Sequence, residues 1–524
     1  MSANYALLDW LVFAGYGAIL LLSGWWFNRK RANSSQDFFL GGNSMPTWMV
    51  AISVLATSQS AATFIGGPDQ GYQGDLSYLA TNIGAFIAAF IVSAFLIPKF
   101  YQQKVYTVYE LLEKRIGPKA KRRSGLMYLF GRVFASGARL YMASIAVAMI
   151  LYGNIEAQSV IIATLLLALA GLLYTVLGGI RSVIYSDVLQ SVVYVSAAIA
   201  VIWSLLELIP VDFSTILATL AEPSPGAESK LALFKFDLDF GPSGVFNMAS
   251  VLTGFVLLNI AAFGLDQDMT QRLLTCKSEK EGSKALLLSI VMVIPVMLVF
   301  IFIGLLLYIV YQQPSLMNNS AAGSVVQEFN GEKITIFMYY VLNEVPAGVK
   351  GLVSVGIIAA AISTLNSGLS SMSSVIVQDL YRPYLEKKNT SVNDNHYVKA
   401  GRVGMALVSL ALALMAILCY FWQQYSDMPL LKFALSVMVF SYSGLLGVYF
   451  TTLFTKRGSE NSVLAALIIG FVVTLMMQPY MIDWLLPETL RFSLGFTWQL
   501  CIGTALSTLV CCLGMPKAEQ KVAH

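Results

Sequence analysis

Apolar runs of about twenty residues recur through most of this 524-residue chain, and they constrain its fold more than any other feature. A run of that length with few charges is long enough to cross a bilayer as a helix, and about thirteen such runs can be counted. The composition agrees, since 57% of the residues are hydrophobic, 12% are charged and the mean hydropathy is +0.70. The sequence therefore predicts an all-α polytopic membrane protein with about 13 transmembrane helices, surrounded by the lipid bilayer.

The basic residues predict the orientation of these helices. Lysine and arginine cluster on alternate sides of successive helices, and the positive-inside rule places that side in the cytoplasm. The clusters include basic residues at 29–31, 119–123, 272–280, 387–388 and 456–457, and at 517 and 521. We therefore expect a protein of the plasma membrane, the inner membrane in a bacterium, with the N-terminus outside and the C-terminus in the cytoplasm. This topology explains the net charge of +4, so nucleic acid is not expected as a partner.

One predicted transmembrane helix, between Val353 and Tyr381, carries a stripe of hydroxyl groups. Small side chains recur there every three or four residues and so share one helix face: Ala360, Ser363, Thr364, Ser367, Ser370, Ser371 and Ser374. Hydroxyl and carbonyl oxygens are hard, neutral ligands that suit an alkali cation, which makes sodium binding one hypothesis. The alternative is that small residues only let helices pack closely. The stripe alone leaves both open.

Two other predicted helices are interrupted near the middle of the membrane. In the first, polar residues from Thr57 to Thr63 precede Gly66, Gly67 and Pro68; in the second, Gly264 precedes three polar residues. Broken helices at corresponding places in two halves are typical of inverted-repeat transporters. We therefore expect a leading helix (1–35), five-helix repeats at 45–208 and 245–454 separated by an extracellular loop (209–244), and two trailing helices with a short cytoplasmic tail (455–524).

Three charged residues fall inside predicted membrane helices. Arg139 lies near the midplane, where an unpaired charge is costly, so it is either functional or part of a structural pair. Arg132 can reach toward the cytoplasm or pair with a carboxylate. Asp187 must be neutralised by a proton, a cation or a base, so a second cation site and a salt bridge both remain open.

Taken together, six motifs resemble those of the sodium/solute symporter family, which includes bacterial sodium/galactose and sodium/sialic-acid transporters. They are DFFLGG at Asp37, ATSQSAATFIG at Ala56, YELLEKR at Tyr109, LGGIRSVIYSDVLQ at Leu177, NIAAFGLDQDMTQR at Asn259 and AAAISTLNS at Ala359. The resemblance implies a LeuT-type inverted-repeat fold and transport by alternating access.

The resemblance also implies where sodium binds. The first sodium site would use the carbonyls of Ala56, Gln59 and Ala360 and the hydroxyls of Ser363 and Thr364. Some relatives bind a second sodium one turn below, at positions that correspond here to Asp187, Ser363, Asn366 and Ser367. Asn366 stands where the family usually has serine.

The implied solute site matches the relatives less well. Thr63 and Asn82 align with sugar-contacting positions of the galactose transporter, but that transporter has glutamine and glutamate there. Arg139 aligns with the carboxylate-binding arginine of the sialic-acid transporters when a small insertion is allowed. The predicted substrate-binding residues are Ser60, Thr63, Asn82, Arg139, Asn259 and Phe263.

The predicted function is sodium-coupled import of a small polar organic solute, preferably a carboxylate-bearing one such as sialic acid or another organic acid. The expected partners are the solute, the sodium ion and the bilayer, with no obligate protein partner. A neutral sugar, polyol or amino acid as solute, a proton-coupled carrier and a transporter-like membrane sensor remain alternatives. An enzyme is not expected, because the predicted helices show no nucleophile with a base and no metal cluster.

Overall fold

The chain is helical nearly throughout the part that the computed structural model describes, which is residues 5–28, 34–317, 328–329, 332–390, 392–423 and 430–515. Apart from connecting loops, the described residues also form a short antiparallel pair of strands, β1 (Glu328–Phe329) and β2 (Glu332–Lys333). The predicted all-α class is therefore confirmed. The predicted basic clusters at 29–31 and at 517 and 521 lie outside the described residues.

Among the described residues, ten α-helices precede residue 222: α1 (Leu7–Asn28), α2 (Ser35–Leu40), α3 (Thr47–Ser58), α4 (Ala61–Gln73), α5 (Ser77–Phe95), α6 (Ile97–Gln103), α7 (Glu110–Arg115), α8 (Pro118–Tyr152), α9 (Ala157–Leu208) and α10 (Phe213–Ala221). Twelve follow: α11 (Met248–Leu252), α12 (Gly254–Gly264), α13 (Gln267–Leu273), α14 (Glu279–Gln312), α15 (Ile336–Asn343), α16 (Val349–Val375), α17 (Arg382–Lys387), α18 (Asp394–Gln423), α19 (Leu430–Phe454), α20 (Glu460–Met476), α21 (Pro479–Leu485) and α22 (Phe496–Cys512). A π-helical turn, Ile376–Tyr381, joins α16 to α17.

Nine described helical segments are long and apolar enough to cross a membrane, and the number is twelve if each of three bent helix pairs is counted as one span. The long helix α9 supplies two of the nine, because Gly179 adopts a φ of +63° that bends the chain between them. Helix α22 is a shorter apolar helix of 17 residues. The total of about 13 spans and the limits of the two repeats stay predictions.

The backbone unwinds at both places where the sequence predicts a broken helix. Between α3 and α4, Gln59 is extended, with φ −92° and ψ 110°. Between α12 and α13, Asp266 is extended and its carboxylate accepts the N–H of Asp268 at 2.9 Å, which caps α13. A helix that ends within the bilayer leaves carbonyls of its last turn without helical partners, so both breaks are suited to bind a ligand.

Helix α4 crosses α14 at a point where the two backbones touch. A side chain at Gly304 would overlap the carbonyl oxygen of Pro68, and a side chain at Gly71 would overlap the carbonyl oxygen of Ile301. Only glycine permits this approach. The crossing therefore fixes the second half of the first broken helix against α14.

Two lysines tie the loop between α10 and α11 to the end of α4. Lys230 Nζ donates to the carbonyl oxygens of Tyr72 at 2.6 Å and Gly74 at 2.9 Å, and Lys235 Nζ lies 2.7 Å from Asp75 Oδ2. Burial away from water disfavours the charged form of Lys230 and lowers its pKa to about 8. The negative charge of Asp75 opposes this shift, and the positive charge of Lys235 adds to it.

Helix α1 is attached to the start of α16 by a buried carboxylate. Asp9 is 1% exposed, whereas its neighbours Leu8 and Trp10 are 53% and 54% exposed. Asp9 Oδ1 accepts the backbone N–H groups of Gly348 and Gly351, both at 2.7 Å. The leading helix thus caps the helix that carries the hydroxyl stripe.

Candidate functional site

A cavity that is partly open to solvent lies among α3, α5, α8, α12, α14 and α19. Its wall is mostly apolar with a few polar and charged side chains, which is usual for a small-molecule site. The amide-bearing and charged residues of the lining are Gln59, Asn82, Arg132, Arg139, Asn259 and Asp266. One end of the first broken helix therefore reaches the cavity directly.

Arg139 lines this cavity with an incomplete set of partners. Its Nη2 contacts the thioether of Met438 at 3.4 Å, which is a weak acceptor. Its Nη1 is buried and has no hydrogen-bond partner among the described residues. A guanidinium in a membrane protein interior needs acceptors and a counter-charge, so this corner of the cavity is suited to an anion.

Four of the six predicted substrate-binding residues line the cavity: Asn82, Arg139, Asn259 and Phe263. Asn82 and Asn259 each donate through Nδ2 to a carbonyl of their own helix, at 2.9 Å and 2.8 Å, which orients both amides. Ser60 and Thr63 are also buried, but they do not belong to the lining of this cavity. The structure therefore gathers the arginine and two amides around one space.

A buried ion-pair network around Arg132 also borders the cavity. Arg132 Nη1 lies 2.9 Å from Asp266 Oδ2, and Arg132 Nη2 pairs with Asp268. The hydroxyl of Tyr442 donates to the same Asp266 oxygen at 2.5 Å. Arg132 thus pairs with carboxylates, one of the two roles that its sequence position left open.

The hydroxyl stripe of α16 faces the end of α3. Thr57 Oγ1 on α3 and Ser367 Oγ on α16 lie 3.3 Å apart. The five residues predicted for the first sodium site are all buried, and they lie on α16 or at the end of α3: Ala56, Gln59, Ala360, Ser363 and Thr364.

The two hydroxyls predicted for the first sodium site already donate their protons. Ser363 Oγ donates to Asp187 Oδ1 at 2.6 Å, and Thr364 Oγ1 donates to the Ala360 carbonyl at 3.1 Å. A hydroxyl that donates keeps its lone pairs for a cation. Both hydroxyls therefore keep lone pairs that could bind a sodium ion.

The residues predicted for a second sodium are only partly brought together. Ser363 bonds to Asp187 and Ser367 lies one turn further along the stripe. The amide of Asn366, by contrast, lies against α9, 2.8 Å from Thr175 Oγ1 when its nitrogen faces that oxygen. The structure therefore directs Asn366 away from Asp187.

An arginine that the sequence placed in a cytoplasmic cluster lies among these residues instead. Arg272 on α13 is fully buried; its Nη2 lies 3.3 Å from Asp187 Oδ2 and donates to Ser367 Oγ. Its Nε donates to Ser53 Oγ at 2.8 Å. Asp187 is thus in a salt bridge, one of the alternatives that the sequence left open. The sequence feature that could have indicated this buried position is that Arg272 follows the break at Asp266 by only six residues.

Two interrupted helices that meet a cavity lined by a few amide and charged side chains, beside a helix with a stripe of hydroxyls, define a class of protein. They are features of secondary transporters, in which solute and ions bind where helices are broken.

Comparison with known proteins identifies the family within this class. The model of the sodium:solute symporter family matches residues 38–470, and the chain therefore belongs to that family. The sodium/sialic acid symporter of Proteus mirabilis (strain HI4320) is 26% identical over 474 residues, which cover 90% of each chain. The sodium/glucose cotransporter of Vibrio parahaemolyticus is 26% identical over 524 residues, covering 96% of this chain and 91% of that one.

A solved structure of a sodium-coupled sialic acid symporter, in a substrate-bound outward-open state, has the same fold. Its TM-score is 0.78 at 23% identity, covering 97% of this chain and 98% of that one. The comparisons confirm the predicted LeuT-type fold, sodium-coupled symport and sodium as the coupling ion. The protein is a transporter and an integral protein of the inner membrane.

Proposed function

We propose that this symporter imports a carboxylate-bearing organic solute and that Arg139 binds the carboxylate. The observation that supports this proposal is the incomplete partner set of Arg139 beside the cavity. A carboxylate held by two parallel N–H···O bonds supplies both the acceptors and the negative charge that the guanidinium requires.

Sialic acid is the first candidate within this class of solutes. Two relatives are named as sodium/sialic acid symporters. Sialic acid also carries hydroxyl and amide groups, for which the amides of Gln59, Asn82 and Asn259 in the cavity wall are suitable partners.

We assign the sodium ion that drives import to the first predicted site. Ala56 and Gln59 lie at the end of α3, and Ala360, Ser363 and Thr364 lie on α16, so a sodium ion there would hold two helices together. Separation of these helices would release it. We place the N-terminus outside and the C-terminus in the cytoplasm. The inward sodium gradient then drives solute and sodium into the cytoplasm together. Ser60 and Thr63, which do not line the cavity, support the break without touching the solute.

The experiment is sodium-dependent uptake into proteoliposomes with labelled sialic acid, short carboxylates, proline, sugars and polyols. Arg139→Gln should lower uptake of the transported acid at least a hundredfold, because a charged hydrogen-bond pair contributes about 3 kcal/mol. Met438→Leu is the matched control: it removes the sulfur next to Nη2, keeps the volume and should retain most of the activity. Replacement of sodium by choline at constant pH should abolish uptake in the parent protein.

A neutral sugar is the second candidate, because the cavity holds three amides and a sodium/glucose cotransporter is among the relatives. Sodium-dependent uptake of a neutral solute alone, unchanged in Arg139→Gln, would refute the role proposed for Arg139. Solute selection would then belong to the amides.

A further inference from the structure

Two of the residues expected to hold a second sodium ion, Asp187 and Ser367, are already bonded to Arg272. Its Nη2 reaches Asp187 and Ser367, its Nε reaches Ser53, and its Nη1 donates to Asp268 Oδ1 at 3.0 Å. Every nitrogen of this buried guanidinium therefore has a partner. These partners come from α3, α9, α13 and α16, so the side chain is fixed from four helices.

A sodium ion beside Asp187 would share one carboxylate with the guanidinium. Two unit charges about 4 Å apart repel strongly even at an effective dielectric constant of about 20, and the repulsion corresponds to about a thousandfold loss of sodium affinity. Asn366, which would have to supply a further ligand, is turned toward Thr175 instead. Charge and geometry thus both disfavour a second ion.

The charges around the cavity balance without any second sodium. Arg132 pairs with Asp266 and Asp268, and Arg272 pairs with Asp187 and Asp268, so together with Arg139 this cluster has three arginines and three aspartates. One sodium ion and one carboxylate preserve that balance. A second sodium would leave a net positive charge in an interior of low dielectric constant.

We propose that Arg272 takes the place of a second sodium ion, so that one sodium accompanies each solute. With a monoanionic acid as solute, each transport cycle then moves no net charge across the membrane. The stoichiometry follows from the contacts of Arg272, whereas the absence of net charge movement also rests on the function proposed above.

The test is the ratio of labelled sodium to labelled acid taken up by proteoliposomes, at zero potential and at about −100 mV set by potassium and valinomycin. We expect a ratio of one and an accumulation of acid that does not change with potential. A ratio of two would overturn the inference, and accumulation would then rise about 50-fold at that potential. A ratio of one with potential-driven uptake of a neutral solute would refute the proposed carboxylate but not the stoichiometry.

A second measurement needs no transport. Detergent-solubilised protein is titrated with sodium chloride at an ionic strength held constant with choline chloride, and binding is followed by thermal stability. The parent should show a Hill coefficient of one. Arg272→Gln leaves Asp187 without its cation and should raise the coefficient toward two. Ser53→Ala removes the Nε contact and one hydrogen bond to Asp187 but leaves the guanidinium in place, so it should not raise the coefficient.

A parent Hill coefficient of two would overturn the inference, and so would a folded Arg272→Gln variant whose coefficient stays at one. If Arg272→Gln does not fold, the flux ratio and the Hill coefficient of the parent protein still decide the matter.

Discussion

Replacing Asp9 by alanine should cost the protein about 3 kcal/mol of folding free energy. The carboxylate accepts two backbone N–H groups at the start of α16, both at 2.7 Å. Gly351 is buried, so its N–H would lose its hydrogen-bond partner without gaining water, which should cost about 2 kcal/mol of folding free energy. Gly348 is partly exposed, so the loss of its hydrogen bond should cost only about 1 kcal/mol. Asp9→Asn keeps an acceptor oxygen and should lose only about 1 kcal/mol, the contribution of a charge at a helix N-terminus.

The assay is reversible unfolding in detergent, or the unfolding temperature where unfolding is irreversible. Ser23→Ala is the matched control on the same helix, because the Ser23 hydroxyl bonds to Tyr174 at 3.0 Å in a partly buried position. This control should cost less than 1 kcal/mol. The expected order of stability is the parent, then Ser23→Ala and Asp9→Asn together, then Asp9→Ala.

An Asp9→Ala protein as stable as the parent would refute the reasoning, because it would mean that the amide groups of Gly348 and Gly351 do not depend on the carboxylate. Equal losses for Asp9→Ala and Asp9→Asn would refute the division between hydrogen bonding and charge. Only the first outcome would mean that α1 does not act as the cap of α16.

Three further predictions concern the ion site, the helix crossing and the loop between α10 and α11. Ser363→Ala combined with Thr364→Ala should raise the sodium concentration for half-maximal uptake more than tenfold with little loss of protein; unchanged sodium dependence would contradict the site. Gly304→Ala should destabilise the protein by more than 2 kcal/mol in thermal unfolding, because a methyl group overlaps the carbonyl of Pro68, whereas wild-type stability would show that the helices can separate. The pKa of Lys230 is held at about 8 in the folded protein, against about 10.4 in an unfolded chain, so the folded state binds fewer protons in between. The stability of the parent relative to Lys230→Met should therefore rise as the pH increases from 8 to 10.4, and a pH-independent difference in unfolding temperature would refute the assignment.

The helix breaks and the hydroxyl stripe could be predicted because both are local. A run of polar residues disfavours a continuous apolar helix, and the chain unwinds at Gln59 within that run, whereas Gly66, Gly67 and Pro68 lie inside α4. Hydroxyls at three- and four-residue spacing share a helix face whatever packs against it. The spacing therefore placed Ser363 and Ser367 on one side of α16, where both now lie in the cluster around Asp187 and Arg272.

The partners across helices could not be predicted in the same way. Asn366 precedes Ser367 by one residue, which turns its side chain about 100° around the helix, toward α9 and Thr175. The sequence does not show which neighbour covers that face. The distribution of charges along the chain places Arg272 with the cytoplasmic residues, because it does not show that α13 buries this side chain inside the protein. Its position after a break was the better indicator.

The break at Gln59 gives coupling between ion and solute a short physical route. Its side chain lines the cavity, and its Oε1 is buried without a hydrogen-bond partner among the described residues. Its backbone carbonyl is one of the ligands that we assign to sodium. A solute that bonds to the side chain would therefore restrict the same residue whose carbonyl binds the ion. Coupling between two binding events is reciprocal, so sodium should raise the solute affinity by the same factor by which the solute raises the sodium affinity. Because both events act on Gln59, the coupling does not require a long path through the protein.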